Sequence, residues 1–383
     1  MSVTRARIPF ADFDLQYENM REDILDAINR ILGSGQLILR EPVHQFELQF
    51  AKFVGVKHAI GVSNGTDAVR LALLACEVRP GDQVITVAHT FVSTVSEIVH
   101  AGATPVLVDI AGDHNMDVTK LPAAINDRTR VIVPVHMNGR ACEMNTIMRI
   151  AAEHNLIVVE DAAQALGCKY KRQSVGSFGT AATFSFYPSK ILGALGDAGA
   201  VVTNSDEIAQ KVRLLRDHGR TDRTTLRCWG YNCRLDGIQA AVLALKLKGV
   251  PQWLDRRRAL AAIYCAGFRK LPQVRLPCAP GSDPDFFDVY QNFVIEAEER
   301  DELQNFLCKN GVETLVYWPK PLHRQAGLGL EEFSLPMTEA LSRMVLSLPM
   351  YTNLADESAS YVVDKIHDYY ARMAGKKAAM SGS

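Results

Sequence analysis

The sequence predicts an α/β protein in two parts: a large, mainly parallel α/β domain over residues 1–250 and a smaller α+β domain over 251–374. Three observations lead there. Strand-like and helix-like segments alternate from about residue 58 to 202, the pattern of parallel strands joined by helical crossovers. The strand segments are almost unbroken apolar runs, as in Val131-Ile132-Val133-Pro134-Val135 and Leu156-Ile157-Val158-Val159, which is how strands buried on both faces read. The chain has 383 residues, more than one ordinary domain, and its rhythm changes near residue 250.

The elements follow in order. Ile24, Ile28, Ile31 and Leu32 share one face of a helix that stops near Gly33, and Val43, Phe46, Phe50 and Phe53 mark a second that ends near Gly55. Strands are predicted at 58–62, 83–87, 104–109, 130–136, 156–160, 181–186 and 199–202, with helices at 66–76, 92–100 and 143–154. Beyond 250 come a long helix at 252–271, a link carrying Pro272, Pro277, Pro280 and Pro284, a strand at 289–295, and helices at 300–309 and 358–373. The Lys-, Ala-, Gly- and Ser-rich end, 375–383, predicts a disordered tail.

Composition narrows the function classes. With 42 Lys+Arg against 43 Asp+Glu the net charge is −1, so nucleic acid is not an expected partner. The densest basic run, Arg256-Arg257-Arg258, falls in a helical pattern and reads as a solvated face. Residues 1–10 hold no apolar signal segment, and no run reaches the ~18 apolar residues of a membrane span. The eight cysteines are scattered, and Cys228 and Cys233 lack metal-ligand spacing. Reduced thiols in a cytoplasmic protein with no metal site are the expectation.

In such sheets ligands bind beyond the carboxyl ends of the strands, so the residues that follow each strand matter most. Ser63-Asn64-Gly65-Thr66-Asp67 opens a helix; Gly65 permits close backbone approach and Thr66 adds a hydroxyl and an amide, which suits an anion, though a plain capping turn reads the same way. Phe91 falls where a ring could stack on a flat ligand, or is a core aromatic. Asp161, in Glu160-Asp161-Ala162-Ala163-Gln164, is a strand-end carboxylate that needs a partner; a protonated ring nitrogen would serve, and so would a structural hydrogen bond. Lys190 follows an apolar strand and precedes a glycine-rich stretch, so its amine could form a Schiff base, with Ser185 adding a hydroxyl for a phosphate; alone, it reads as a loop lysine. Together the four places ask for a phosphate, a flat ring, a ring nitrogen and an aldehyde, a set that one common cofactor meets.

The chain resembles the DegT/DnrJ/EryC1/StrS family of sugar aminotransferases, within PLP fold type I, the aspartate aminotransferase fold. The likeness runs from about Ile8 to Tyr370. It is carried by Ser-Gly-Gln-Leu-Ile-Leu at 34–39, Ser-Asn-Gly-Thr-Asp-Ala at 63–68, Glu-Asp-Ala-Ala-Gln-Ala at 160–165 and Phe-Ser-Phe-Tyr-Pro-Ser-Lys at 184–190. Gly-Asp-Ala-Gly-Ala-Val-Val-Thr at 196–203, Gly-Tyr-Asn-Cys-Arg-Leu-Asp at 230–236 and Leu-Pro-Met-Tyr at 348–351 extend it.

The resemblance implies pyridoxal 5'-phosphate (PLP) bound through Lys190, with Asp161 at the ring nitrogen, Gln164 at the ring hydroxyl and Phe91 stacked on the ring. Gly65, Thr66 and Ser185 would hold the phosphate. Asn232 would reach it from a second subunit, making a homodimer with shared active sites. Arg234, Tyr317 and His323 would lie near the substrate. It further implies transfer of an amino group from L-glutamate, leaving 2-oxoglutarate, to a nucleotide-linked keto sugar. Ile38-Leu39 and 193–197 look like enzymes acting at position 3 rather than 4. A keto-cyclitol aminotransferase and a non-catalytic regulator on the same fold are the alternatives. Lys190 sets the chain apart from relatives that carry His there and act as sugar dehydratases. Two departures stand out. Ser189 and Ile191 flank the lysine where many relatives have Gly and Asn, and Tyr317-Trp318-Pro319 stands where relatives read His-Tyr-Pro.

Overall fold

The computed structural model describes residues 6–381, with side chains to Gly375; residues 1–5 of the segment read above as lacking an apolar signal lie outside it. Helices α1 (Phe13–Glu18), α2 (Arg21–Ser34) and α3 (Glu41–Val54) precede the first strand. Gly35 and Gly55 close α2 and α3 in the left-handed conformation (φ 66° and 85°) that glycine adopts freely. Strands and helices then alternate: β1 (His58–Val62), α4 (Gly65–Ala75), β2 (Gln83–Val87), α5 (Val92–His100), β3 (Thr104–Val108), α6 (Leu121–Ala124), β4 (Thr129–Ile132), α7 (Met144–Glu153) and β5 (Ile157–Asp161). A small hairpin, β6 (Lys169–Tyr170) and β7 (Gln173–Ser174), leads to β8 (Ala181–Ser185), β9 (Gly199–Thr203), α8 (Asp206–Leu215), α9 (Gly237–Leu247) and α10 (Val250–Phe268). The remainder comprises β10 (Val274–Arg275), β11 (Phe286–Phe287), β12 (Phe293–Ala297), α11 (Arg300–Lys309), α12 (Pro336–Met344), β13 (Val345–Leu348) and α13 (Asp356–Ser381).

Seven strands form the main sheet in the order β1-β9-β8-β5-β4-β2-β3. Its core pairs, β3 with β2, β2 with β4, β4 with β5 and β5 with β8, are parallel; β9 alone runs against its neighbours. Neighbouring residues in one strand feed different cores: Ile132 and Val158 pack with Phe46, Phe50 and Phe184, while Val131 and Val159 pack with Ile60, Leu71 and Val201. The apolar runs thus bury both sheet faces, each worth roughly 1.5–3 kcal/mol per large side chain. A second core surrounds the three-stranded sheet β10-β12-β13, with Leu260, Tyr264, Phe293, Leu346 and Ile366. Ile8 joins this second core through a bridge to Val312.

Four expectations change. The strand predicted at 130–136 ends at Ile132, because Pro134 has no N–H for the ladder; pairing resumes only as a Val135–Asp161 bridge. The strand predicted at 289–295 begins at Phe293, because Tyr290 turns into the left-handed region (φ 49°). The Arg256-Arg257-Arg258 run is no solvated face: Arg257 is buried, and Arg257 and Arg258 donate to the backbone carbonyls of residues 288–291, which lie against α10. The tail predicted to be disordered from 375 is helical to Ser381; its Lys and Ala residues are good helix formers, and residues 382–383 lie outside the described residues. Helices α8 and α9 were not anticipated, although Ser205 caps α8 through Ile208 N–H (3.3 Å) with Asp206 and Glu207 in its first turn. Among the described residues no helix is long and apolar enough to cross a membrane.

Candidate active site

The chain ends of β1, β5 and β8 converge on one region. After β1, Asn64 caps α4 by accepting the Asp67 N–H (2.7 Å). The first amides of α4 then have no intrahelical partner and face outward along the helix axis, a natural anion seat. Gly65 lies against the end of β8: a Cβ added there would sit 2.7 Å from Ser185 Cβ and 3.1 Å from Ser185 Oγ. A glycine is therefore required for the amides and the Ser185 hydroxyl to share one hollow. The Thr66 hydroxyl pairs with Ser93 (2.6 Å) at the start of α5, and Phe91, just before α5, is 60% exposed. Phe91 is therefore not a core aromatic.

Two carboxylates close β5, and their surroundings separate them. Glu160 is fully buried and saturated, accepting from the N–H groups of Gly176, Phe178 and Gly179 (2.8 Å each) and facing His136 Nε2 at 3.1 Å. Asp161, also buried, accepts the Thr94 hydroxyl (2.7 Å) and the Ala163 N–H (3.1 Å), its only donors among the described residues. Those two bonds orient the carboxylate and leave lone pairs for a further donor. Gln164 is oriented too. Its Oε1 accepts Asn138 N–H (2.9 Å) and Asn292 Nδ2 (3.3 Å), so Nε2 faces away as a donor with no protein partner among the described residues.

Lys190 ends a turn after β8, its N–H bonded to Tyr187 O (2.8 Å). It lines a cavity of about 320 Å³ together with Asn292, Trp253, Arg257 and Tyr317. The side chain retains some exposure, yet the protein packed around it pushes its ammonium down to about 8, by desolvation that outweighs the attraction of Asp161. Burial likewise pushes the Tyr317 hydroxyl up to about 12, with Arg257 opposing. Trp318, beside it, packs edge-on to buried His89 at 5.2 Å.

Contacts within one chain link Gly65 to Ser185, Thr66 and Asp161 to the helix that Phe91 precedes, and Gln164 through Asn292 to the cavity that Lys190 and Tyr317 line. Three other predicted residues are elsewhere. Arg234 pairs its backbone with Val62, near the anion seat, but its guanidinium holds Asp217 (3.1 Å). His323 is fully buried, bonded through Nε2 to Glu339 (3.1 Å), and does not line the cavity. Asn232 is exposed, beside Trp229, which is 95% exposed. Thr94, Asn138, Gln291 and Asn292 were missed in the sequence. Ser93 and Thr94, which open α5 just after Phe91, were the polar residues whose position hinted at the site.

A model of the DegT/DnrJ/EryC1/StrS aminotransferase family matches residues 18–367. The "Pleiotropic regulatory protein" of Geobacillus stearothermophilus is 42% identical over 373 residues, covering 96% of this chain and 100% of that protein. The "dTDP-3-amino-3,4,6-trideoxy-alpha-D-glucose transaminase" of Streptomyces venezuelae is 40% identical over 372 residues, covering 96% and 97%. In structure, S. venezuelae DesV, solved "in complex with ketimine intermediate", superposes with a TM-score of 0.92 at 39% identity, covering 96% of this chain and 99% of that one.

Proposed function

The chain belongs to the DegT/DnrJ/EryC1/StrS aminotransferase family, and from that premise we propose that it is a PLP-dependent transaminase moving an amino group from L-glutamate to position 3 of a nucleotide-linked keto sugar. One observation carries the reading: a lysine amine with a lowered pKa faces an oriented, half-satisfied carboxylate, beside a helix start that only glycine allows. The residues present fit PLP. Gly65, Thr66 and Ser185 would hold its phosphate, Asp161 its ring nitrogen, Gln164 Nε2 its ring oxygen, Phe91 a ring face and Lys190 its aldehyde. When bound, PLP supplies an electrophilic carbon for the amine and a ring that takes up the electron pair of a deprotonated carbon.

The chain's own residues do the rest. Asp161 keeps the ring nitrogen protonated, its orientation fixed by Thr94 and the Ala163 amide. The Lys190 amine, once released, takes and returns a proton, a task suited to a group that titrates near the working pH. Tyr317 and the cavity it lines beside Lys190 would take the sugar. The activity for which the S. venezuelae transaminase is named supports a nucleotide-linked 3-amino sugar. A keto-cyclitol acceptor is the alternative substrate. A non-catalytic regulator is suggested only by the name of the Geobacillus relative, and the intact Asp161, Gln164, Ser185 and Lys190 set favours catalysis. We place the protein in the cytoplasm, where its eight unpaired cysteines stay reduced, as a homodimer to which Asn232 contributes across the interface.

The test is direct. Addition of L-glutamate to the PLP-loaded protein abolishes the visible absorbance of lysine-linked cofactor and releases one equivalent of 2-oxoglutarate. Absence of any spectral change with any amino acid overturns the transaminase reading. Offering 3-keto and 4-keto nucleotide sugars in parallel, with product identified by NMR, decides the carbon.

A further inference from the structure

The four residues 289–292 that lead into β12 are buried, none more than 6% exposed. Tyr290 there has φ 49°, a conformation that a bulky residue keeps only when its surroundings hold it. They do so from three sides. Val289 N–H donates to Gly139 O (2.9 Å), and a Cβ on Gly139 would lie 2.8 Å from the backbone nitrogen of Gln291. The Tyr290 hydroxyl donates to Cys278 O (2.7 Å). Arg257 donates from Nη1 to the carbonyls of Tyr290 (3.0 Å) and Gln291 (3.2 Å).

With the backbone fixed, the two polar side chains are aimed. The Gln291 carboxamide straddles Lys190: Oε1 accepts the Ile191 N–H (3.0 Å) and Nε2 donates to Ser189 O (3.0 Å). Asn292 Nδ2 donates to Asn138 Oδ1 (3.2 Å) and Gln164 Oε1 (3.3 Å). We propose that Gln291 is a positioning residue for Lys190, and that Gln291 and Asn292 set the reacting amine and the Gln164 donor from one buried loop. The proposal rests on the roles given above to Lys190 and Gln164 and goes beyond them. One planar amide that grips the peptide groups on both sides of a residue fixes its Cα, and so the point from which the lysine chain reaches the reacting carbon. Losing either bond leaves a backbone polar group of the lysine turn without its protein partner. Misplacement by a fraction of an ångström is then felt in the chemical step.

The test uses Gln291→Glu, which keeps the acceptor for Ile191 and loses the donor for Ser189, and Gln291→Leu, which loses both. Wild type must first show the lysine-linked PLP absorbance and lose it with L-glutamate; failure there removes the reading of the site, not this inference. Both variants are expected to load PLP and keep the wild-type far-UV circular dichroism. The pH midpoint of the visible band should move by about half a unit or more. The glutamate half-reaction should slow about tenfold in Gln291→Glu and up to about a hundredfold in Gln291→Leu, with KM little changed. An unchanged midpoint and rate, with only the melting temperature lowered, overturns the proposal. If Gln291→Leu does not fold, Gln291→Glu decides alone. Asn292→Ala, which removes one of the two donors to Gln164 Oε1, should alter the band's position; a wild-type spectrum removes that arm.

Discussion

At Lys190 two influences oppose each other: burial disfavours the ammonium, the Asp161 carboxylate favours it, and burial wins. The amine therefore sheds its proton near pH 8 instead of at the ordinary 10.5. In the cofactor-free protein, the rate at which Lys190 captures PLP should rise about tenfold per pH unit up to about 8 and level off above it. Asp161→Asn removes the influence that raises the pKa, so the plateau should arrive at a lower pH; stopped-flow capture rates that shift upward, or not at all, contradict the assignment. Lys190 and Asp161 were legible as residues because strand ends concentrate function. Which of Glu160 and Asp161 faces the ligand was not, since only the fold shows that three loop amides and His136 consume Glu160. Asn138 and Asn292 left no trace in the sequence, because they act through contacts 154 residues apart.

At the level of the element, α4 begins where β8 ends, and Gly65 is the price of that approach. Gly65→Ala would bring a Cβ to 2.7 Å from Ser185 Cβ, so Ser185 or the helix start must move into the space meant for the phosphate. The Asn64 cap, worth about 1 kcal/mol, is untouched, but the forced shift between α4 and β8 should lower the melting temperature of the cofactor-free protein as well. The dissociation constant for PLP should rise about tenfold, or roughly 1.4 kcal/mol. Equilibrium dialysis giving wild-type affinity would remove the phosphate from this hollow. Strands and helices were readable where periodicity was uninterrupted, as in β2 and α5. They were misread where one residue broke the local rule: Pro134 shortens β4, and Tyr290 delays β12. In the second case the run Val-Tyr-Gln-Asn-Phe-Val-Ile at 289–295, rich in β-branched and aromatic residues, looks like strand throughout, yet its first half is a buried loop.

For the whole molecule, His323, Arg234 and Asn232 stand apart from the linked strand-end residues within one chain, and they differ in kind. His323 is packed inside the fold against Glu339. Arg234 approaches the end of β1 but is engaged by Asp217. Asn232 is exposed on a loop that also presents Trp229 and Leu226 to solvent, an arrangement that suits burial against a second copy. If Asn232 serves the partner's site, lesions in Lys190 and Asn232 must segregate in a mixed dimer. The subunit carrying Lys190→Ala lends an intact Asn232 to the site whose lysine is intact, and that site is wild type; the other site carries both lesions. Random re-association of equal amounts of the two inactive variants makes half of the dimers hybrid, each with one good site. Activity should then return to about a quarter of wild type by simple two-fold symmetry. If Asn232 acts within its own chain, each hybrid site carries one lesion and mixing restores nothing.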